Sequence, residues 1–361
     1  MKRAGLLAVS LPLVSGVAYA QSGVTLYGVA DVGIEYVNHV RTTNGSNSVV
    51  RMQPGNQSGS RFGIRVVEDL GAGWRAIARL ENGTNLDTGT LANGTGTTQR
   101  LFGRSAYVGL QSPYGALTLG RQDAPIYDFA KTYDLLGVSA RYSITSMDPV
   151  FSQRIDNAAK YLGEFGGLTV ETSYSTGWDA GFGGEVPGAS RAGRQMGGQL
   201  GYTFGGGSGV AVAYDQTQGS TAASQGLSNK NLAAGAIAAF GAARFVAGYK
   251  WNRSEYGGAN GSTALASTQR TDMYWLQAGY NFTPAFSLSG GAFYTNNRNN
   301  NQDPWLFLAL ADYALSKRTD VYLTAAYALN RNGSALAVGS GNTVQPGSNQ
   351  TGVLVGMRHK F

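Results

Sequence analysis

Hydrophobic and polar residues alternate along much of the chain, and the stretch from Val24 to Tyr36 shows this most clearly. Its even-numbered positions are apolar or small up to the closing tyrosine, whereas both charged residues, Asp31 and Glu35, occupy odd-numbered positions. A period of two places these sets on opposite faces of a β-strand, and a helix would not separate them. The pattern therefore predicts one strand of thirteen residues, about twice the usual length.

The same alternation recurs along the chain, and its spacing predicts sixteen strands. Clear examples lie at 61–66, 74–81, 168–174, 244–251 and 286–294. Short links with turn-forming Gly or Pro or with Ser are expected at 69–73, 112–115, 205–209, 283–285 and 316–319. Long links rich in Gly, Asn, Ser and Thr are expected at 38–59, 82–99, 176–193, 217–230, 252–271 and 330–350.

Short turns at one end and long loops at the other are typical of a transmembrane β-barrel of the outer-membrane kind. In lipid every backbone N–H and C=O needs a partner, so such a sheet has to close on itself. A soluble β-sandwich is the alternative, but it would not need strands this long. Aromatic residues also gather at predicted strand ends, as expected for interfacial girdles. We therefore predict a closed, all-β, antiparallel, sixteen-stranded transmembrane barrel with long extracellular loops.

The first twenty residues have the features of a secretory signal peptide. Lys2 and Arg3 precede an apolar stretch at 4–17, and Ala18-Tyr19-Ala20 fits an A-x-A cleavage site. A retained membrane anchor is the alternative, but the apolar stretch is shorter than the ~20 residues that a spanning helix needs. We expect residues 1–20 to be removed on export through the periplasm and residues 21–361 to form the barrel domain.

Composition narrows the possible functions. The formal charge of +7 falls to +5 without the signal peptide, and the basic residues are scattered rather than clustered with aromatics, which argues against nucleic-acid binding. The absence of cysteine excludes disulfides and thiolate metal sites. The two histidines, His39 and His359, have no nucleophile nearby in the sequence to activate. We expect neither enzymatic activity nor a cofactor.

Several short motifs resemble those of the general porins of Gram-negative bacteria, most closely the β-proteobacterial branch. They are VTLYG at 24–28, SRFG at 60–63, EDLG at 68–71, LGRQ at 119–122, YALSKRT at 313–319 and VGMRHKF at 355–361. The resemblance covers nearly all of the chain after residue 20. It implies a homotrimer in the outer membrane, surrounded by lipid and lipopolysaccharide, whose third extracellular loop folds inward. It also implies that the terminal strand ending in Phe361 is read by the barrel-assembly machinery.

The family's basic constriction cluster maps by resemblance onto Arg61, Arg121 and Arg154. Alternation supports a lumen-facing position for Arg61 and Arg154, whereas Arg121 shares the parity of the apolar residues before it. On the candidate inward loop, from Gln122 to about residue 149, the expected acidic side of the constriction is Asp128, Asp134 and Asp148.

The loop lacks the Pro-Glu-Phe-Gly-Gly motif of enteric porins. Exposed loop carboxylates are therefore the alternative reading of the three aspartates.

These expectations together predict a water-filled channel for passive diffusion of small hydrophilic solutes and ions, with a modest preference for anions. A substrate-specific channel is an alternative, because Tyr127, Tyr133 and Tyr142 on the inward loop could contact a solute. A surface adhesin or receptor is another alternative, since long loops can serve both roles.

Overall fold

The computed structural model describes residues 23–93, 99–139, 141–182, 184–257 and 263–361. Within these ranges the chain forms eighteen β-strands in one antiparallel sheet, together with two short α-helices. The predicted signal peptide, residues 1–20, lies outside the described residues.

The strands are β1 (Gly23–Thr42), β2 (Gly45–Pro54), β3 (Arg61–Gly71), β4 (Trp74–Asn85), β5 (Thr90–Ala92), β6 (Ser105–Ser112), β7 (Gly115–Asp123), β8 (Arg154–Phe165), β9 (Leu168–Ser175), β10 (Gln195–Thr203), β11 (Gly209–Gln218), β12 (Ser228–Phe240), β13 (Ala243–Gly257), β14 (Thr263–Asn281), β15 (Phe286–Asn297), β16 (Trp305–Ala314), β17 (Thr319–Leu329) and β18 (Gln350–Lys360). The helices are α1 (Pro125–Tyr133) and α2 (Ile144–Met147). Neither helix, nor any other in the described ranges, is long and apolar enough to cross a membrane.

The sheet closes because β1 pairs on both sides. One edge of β1 pairs with β18, and the first half of the other edge pairs with β3. Strand β2 pairs with the second half of β1, and β5 pairs with the last residues of β4, so both add to strands of the wall without forming part of the ring. The remaining sixteen strands of the described residues form a closed barrel, which confirms the predicted fold class.

The loop lengths follow the prediction at most connections, with three differences, the first being that the predicted link 82–99 contains β5 and the end of β4. The predicted link 252–271 is mostly strand, because β13 continues to Gly257 and β14 already begins at Thr263. The predicted link 38–59 contains β2. These strand extensions lie near the loop end of the barrel, where polar side chains are favourable on both faces, so the alternating pattern that marks a strand disappears.

The two faces of the wall differ as a membrane barrel requires. Large apolar side chains remain exposed on the outward face, for example Leu26, Leu119, Leu200 and Leu276. The buried aromatic core lies instead inside the barrel, where the segment after β7 packs against the wall. Apolar surface facing outward and a packed segment inside leave a partly filled lumen.

Candidate functional site in the barrel lumen

Residues 124–153 connect β7 to β8 and fold into the lumen; we call this segment the inward loop. It begins with α1, whose first residue is Pro125, a position where the missing N–H costs nothing. Phe129 and Tyr133 on the buried face of α1 lie directly against Gly235 of β12. A Cβ atom at that glycine would lie 2.9 Å from Phe129 Cζ and 2.8 Å from Tyr133 Cγ. The helix therefore needs a glycine in the wall to approach this closely, and the prediction of an inward-folded third loop is confirmed.

Hydrogen bonds then fix the end of α1 to β14. The indole N–H of Trp275 donates to the Tyr133 carbonyl oxygen at 3.0 Å, and the Leu135 N–H donates to the Gln277 side-chain oxygen at 2.7 Å. Phe151, near the end of the inward loop, packs edge-on against Trp275 with ring centroids 5.7 Å apart. The residues at the end of α1 and those near the end of the inward loop thus contact the same strand, β14.

Glu35 of β1 holds the middle of the inward loop to the opposite wall. Its fully buried carboxylate accepts two hydrogen bonds of 2.8 Å from the Arg141 guanidinium and one of 2.6 Å from the Tyr142 hydroxyl. Arg51 of β2 donates to the same carboxylate at 2.8 Å. These bonds hold the loop across the lumen, and removing one partner of such a buried ion pair costs about 3–5 kcal/mol.

A cavity of about 420 Å³ lies between the inward loop and the wall formed by β3, β4 and the start of β8, with the loops that precede β3 and β6. The charged side chains among the described residues that line it are Arg61, Arg104, Lys131 and Arg154, and they include neither Asp nor Glu. We call this space the basic cavity. Since all four side chains are cationic, the cavity offers a positive surface to a passing solute.

Glu81 of β4 organises two of these cations from behind. Its carboxylate accepts a hydrogen bond of 2.7 Å from Arg104 Nε and lies 4.0 Å from Arg61 Nη1. The Tyr27 hydroxyl also donates to Glu81 at 2.7 Å. Arg61 Nε in turn donates to the Gly59 carbonyl oxygen at 2.8 Å, which fixes its guanidinium at the cavity wall.

Asp123, the last residue of β7, organises the other two cations. Its carboxylate lies 3.0 Å from Arg154 Nε and 2.6 Å from Lys131 Nζ. The Tyr127 ring supports both side chains, because Lys131 Nζ lies 4.4 Å and the Arg154 guanidinium carbon 5.2 Å from its centroid. Each cation is thus held in place by a carboxylate that does not line the cavity.

The structure brings Arg61 and Arg154 together in the basic cavity, but it places Arg121 elsewhere. Arg121 stays in register with Ala106 of β6, on the same side as the exposed Leu119. Its guanidinium binds Asp156 and the Gly103 carbonyl oxygen, at a depression separate from the basic cavity. The structure therefore does not bring Arg121 into the basic cavity: on the β6 side Arg121 keeps the pairing of the residues before it, whereas the register between β7 and β8 shifts between Gly120 and Gln122.

The three aspartates expected to form an acidic wall do not line the basic cavity. Asp128 pairs with Lys131 and Lys160, and these two charges outweigh burial and lower the pKa of its carboxyl. Asp148 pairs with the buried Lys250. The Asp128–Lys131 pair lies within the inward loop, whereas Asp128–Lys160 and Asp148–Lys250 join the loop to the wall.

Asp134 is buried beyond the end of α1 and has a structural role. Its carboxylate accepts hydrogen bonds from the Leu136 N–H at 3.3 Å and the Val138 N–H at 2.9 Å. Burial raises the pKa of the Asp134 carboxyl to about 6, although these N–H groups act in the opposite direction. It shapes the turn rather than facing a solute.

Sequence reasoning missed Arg104 and Lys131. Arg104 directly precedes β6, and by strand alternation it shares the outward parity of Ala106, so no periodic signal marks it as inward. Lys131 lies on a helix in a connection that was read as an acidic loop. Their positions at the basic cavity become clear only from the tertiary contacts of Arg104 with Glu81 and of Lys131 with Asp123.

Phe361 lies at the seam where the barrel closes. Its N–H donates to the Gly28 carbonyl oxygen at 3.1 Å, and the Gly28 N–H donates to the Phe361 carbonyl oxygen at 2.9 Å. The terminal ring lies over Gly28, where an added Cβ would be 2.3 Å from Phe361 Cζ. The last residue therefore completes the pairing between the two ends of the sheet.

Comparisons with known proteins agree with this geometry. Residues 5–333 match the sequence profile of the Gram-negative porin family. The chain is 30% identical to Outer membrane porin protein 32 of Delftia acidovorans, over 99% of each chain. Its fold resembles a solved anion-selective porin from Comamonas acidovorans, with a TM-score of 0.79, 24% identity and 94% and 100% of the two chains covered.

A trimer form of OmpT from Vibrio cholerae has the same fold, with a TM-score of 0.65 at 14% identity over 94% and 99% of the two chains. The profile match spans well over half of the chain, and the Delftia relative aligns from end to end. This protein of the outer membrane belongs to the Gram-negative porin family.

Proposed function

We propose that this porin passes small hydrophilic solutes and ions by passive diffusion and modestly prefers anions. The observation that carries the proposal is the basic cavity, whose four charged lining residues are all cationic. A channel needs neither a nucleophile nor a metal, only a water-filled path whose wall charges bias the solutes that pass. Its relatives are channels rather than enzymes, and we propose no catalytic role.

The charges in the basic cavity are strong enough to favour anions but too weak to exclude cations. Each unit charge contributes roughly 0.7 kcal/mol at about 6 Å in water, and physiological salt about halves this. Four such charges sum to on the order of 1 kcal/mol for an anion in transit. The paired carboxylates behind them reduce the sum further, so a several-fold preference is expected.

The arginines suit this role chemically. A guanidinium stays charged at any physiological pH, and its planar fork loses little freedom on contact with an anion. The solved Comamonas porin is described as anion-selective, and its similar fold makes the same property a reasonable hypothesis here. A substrate-specific channel remains the rival, since Tyr127 also lines the basic cavity.

Assembly follows the same reasoning. We propose a homotrimer, in line with the trimer form of the Vibrio porin. We also propose cleavage of a signal peptide after Ala20, recognition of the terminal Phe361 strand by the barrel-assembly machinery, and contact of the outward face with lipopolysaccharide. N-terminal sequencing of protein from outer membranes would test the cleavage directly, with Gln21 expected as the first residue.

Liposome swelling tests the channel and its preference together. Liposomes containing the purified protein are placed in neutral, anionic and cationic solutes of matched size, and the initial swelling rates are compared. We expect all three to enter, the anion fastest. Entry of only one compound with a saturating rate would favour the substrate-specific alternative, and equal rates for anion and cation would remove the proposed preference.

A further inference from the structure

Strands β2 and β3 lie end to end along the same edge of β1, but the chain between them is too long for that position. Pro54 of β2 lies opposite Val32, and Arg61 of β3 lies opposite Val29. Two residues of β1 separate these partners, whereas six residues, 55–60, separate Pro54 from Arg61. The chain therefore has four residues more than a continuous strand would hold, and they form a large bulge.

The excess residues turn into the lumen. Gly55 has a φ of +63°, which glycine adopts without strain, and its N–H donates to the Asp31 carbonyl oxygen at 2.7 Å. The Ser58 N–H donates to the buried Asp31 carboxylate at 2.6 Å, and Asp31 shares the lumen-facing parity of Glu35. A bulge whose middle binds a lumen-facing carboxylate lies inside the barrel. We call residues 55–60 the lumen insert.

Contacts with distant parts of the chain hold the lumen insert in place. Arg358 of β18 donates from Nη1 to the Ser58 hydroxyl oxygen at 2.8 Å, and its guanidinium also pairs with Asp320 of β17. The Arg141 N–H of the inward loop donates to the Asn56 carbonyl oxygen at 3.2 Å. Because main-chain and side-chain groups of the insert bond to both the wall and the inward loop, the insert keeps a defined position in the lumen.

The lumen insert forms one side of the basic cavity. All of its residues except Asn56 line this space, together with residues of the inward loop such as Lys131. The insert also lies close to two of the cations. The Gly59 carbonyl oxygen accepts a hydrogen bond from Arg61 Nε, and a Cβ atom at Gly59 would lie 2.8 Å from Arg104 Nη1. A solute in the basic cavity is therefore confined between the lumen insert and the inward loop.

We propose that the lumen insert is a second constriction element, which limits the size of passing solutes from the side of the basic cavity that faces the inward loop. Four excess residues run out from the wall and return, so they reach about two residues, or ~7 Å, into the lumen. A sphere of about 420 Å³ is about 9 Å across, so this reach is comparable with the width of the cavity. The proposal rests on the proposed channel, because it places the solute path through the basic cavity.

Deletion of residues 56–59 removes the excess and leaves the strands in register. The two residues of the insert that remain then occupy the two positions opposite Ala30 and Asp31. Because the number of deleted residues is even, the strands on both sides keep their lumen-facing and outward-facing residues. The matched control is deletion of residues 299–302, four exposed residues in the loop between β15 and β16 that do not line the basic cavity.

Single-channel conductance, and liposome swelling in neutral sugars from a pentose to a trisaccharide, measure the effective width of the pore. Without the lumen insert a gap of about 9 Å widens by up to ~7 Å, so conductance should rise about 1.5- to 2-fold. The larger sugars should also enter faster relative to the pentose, whereas the control should behave as the native protein does. Unchanged relative rates in the deletion variant, or the same change in the control, would overturn the proposal.

These sugars carry no charge, so their relative rates do not depend on the anion preference. Failure of the native protein to form channels would instead refute the proposed function.

A second variant keeps the wall intact and is used if the deletion variant forms no channels. The chain contains no cysteine, so Ser58→Cys provides a single thiol in the lumen insert and Asn300→Cys a single thiol in the exposed control loop. Coupling of a bulky neutral thiol reagent should lower the single-channel conductance of Ser58→Cys and leave that of Asn300→Cys unchanged. If the thiol of Ser58→Cys does not react, or reacts without loss of conductance, the lumen insert does not border the solute path and the proposal is overturned.

Discussion

Replacement of Arg61 by glutamine is the sharpest probe of the basic cavity. Among the four cations, Arg61 has the weakest internal pairing, because its nearest carboxylate, Glu81, lies 4.0 Å away. The amide nitrogen of glutamine occupies the position of Arg61 Nε, so it can donate to the Gly59 carbonyl oxygen as Arg61 Nε does. The substitution therefore removes one charge with little change in packing.

The size of the effect follows from the size of the basic cavity. A sphere of about 420 Å³ has a radius of about 5 Å, so an ion at its centre lies roughly 6 Å from the Arg61 charge. At that distance the interaction in water is about 0.7 kcal/mol, and at 0.15 M salt the Debye length of about 8 Å reduces it to about 0.3 kcal/mol. Loss of this interaction lowers the permeability to anions and raises the permeability to cations by about 1.7-fold each. The ratio of anion to cation permeability should therefore fall about threefold.

The salt dependence makes this prediction specific. At 0.01 M salt the Debye length grows to about 30 Å, the interaction recovers to about 0.6 kcal/mol, and the ratio should fall about sevenfold. Reversal potentials across planar bilayers under a salt gradient, measured in both ranges, give the ratio. The control is Arg318→Gln, in an exposed turn far from the cavity. An unchanged ratio in Arg61→Gln, or a change of the same size at both salt concentrations, would refute the electrostatic argument.

Three further outcomes follow from the same structure. Arg104→Gln should lower the anion-to-cation permeability ratio in bilayer recordings, whereas Arg121→Gln, on the outward side, should leave the ratio unchanged. If instead Arg121→Gln lowered the ratio and Arg104→Gln did not, the result would support the cluster expected from the sequence, Arg61, Arg121 and Arg154. Because burial raises the pKa of Asp134 from 3.8 to about 6, the folded state binds its proton more tightly than the unfolded chain. Native protein should therefore lose up to about 3 kcal/mol of stability as the pH rises through that interval, and Asp134→Asn should not, as guanidinium unfolding at pH 4 and pH 7 would show. Gly28→Val should lower the melting temperature of the barrel, because the new side chain meets backbone and the terminal ring, while Gly23→Val on the same strand, with open space around it, should not.

The barrel was predictable because each wall strand separates lipid-facing from lumen-facing residues with a period of two. Val24 to Tyr36 shows this without any structural information, and the structure extends the same strand to Thr42. The pattern also put Arg61 and Arg154 on the polar face of their strands, and both line the basic cavity. Alternation involves only residues that are close together in the chain, so one sequence is enough to detect it.

The sequence did not reveal every residue of the basic cavity, because their placement depends on contacts between distant residues. Arg104 lies 23 positions from Glu81, the carboxylate that orients it. The loop carboxylates were expected to face the solute, but Asp148 pairs with Lys250, Asp128 pairs with Lys131 and Lys160, and Asp134 accepts backbone N–H groups. Neither distance nor partner choice follows from local periodicity.

The zero-current potential of the native protein in a planar bilayer with a tenfold KCl gradient tests the central claim most directly. Because the four charged residues that line the basic cavity are all cationic, the potential should have the sign set by chloride and correspond to a several-fold preference that grows as both solutions are diluted. A potential of zero, or one of the sign set by potassium, would contradict the account.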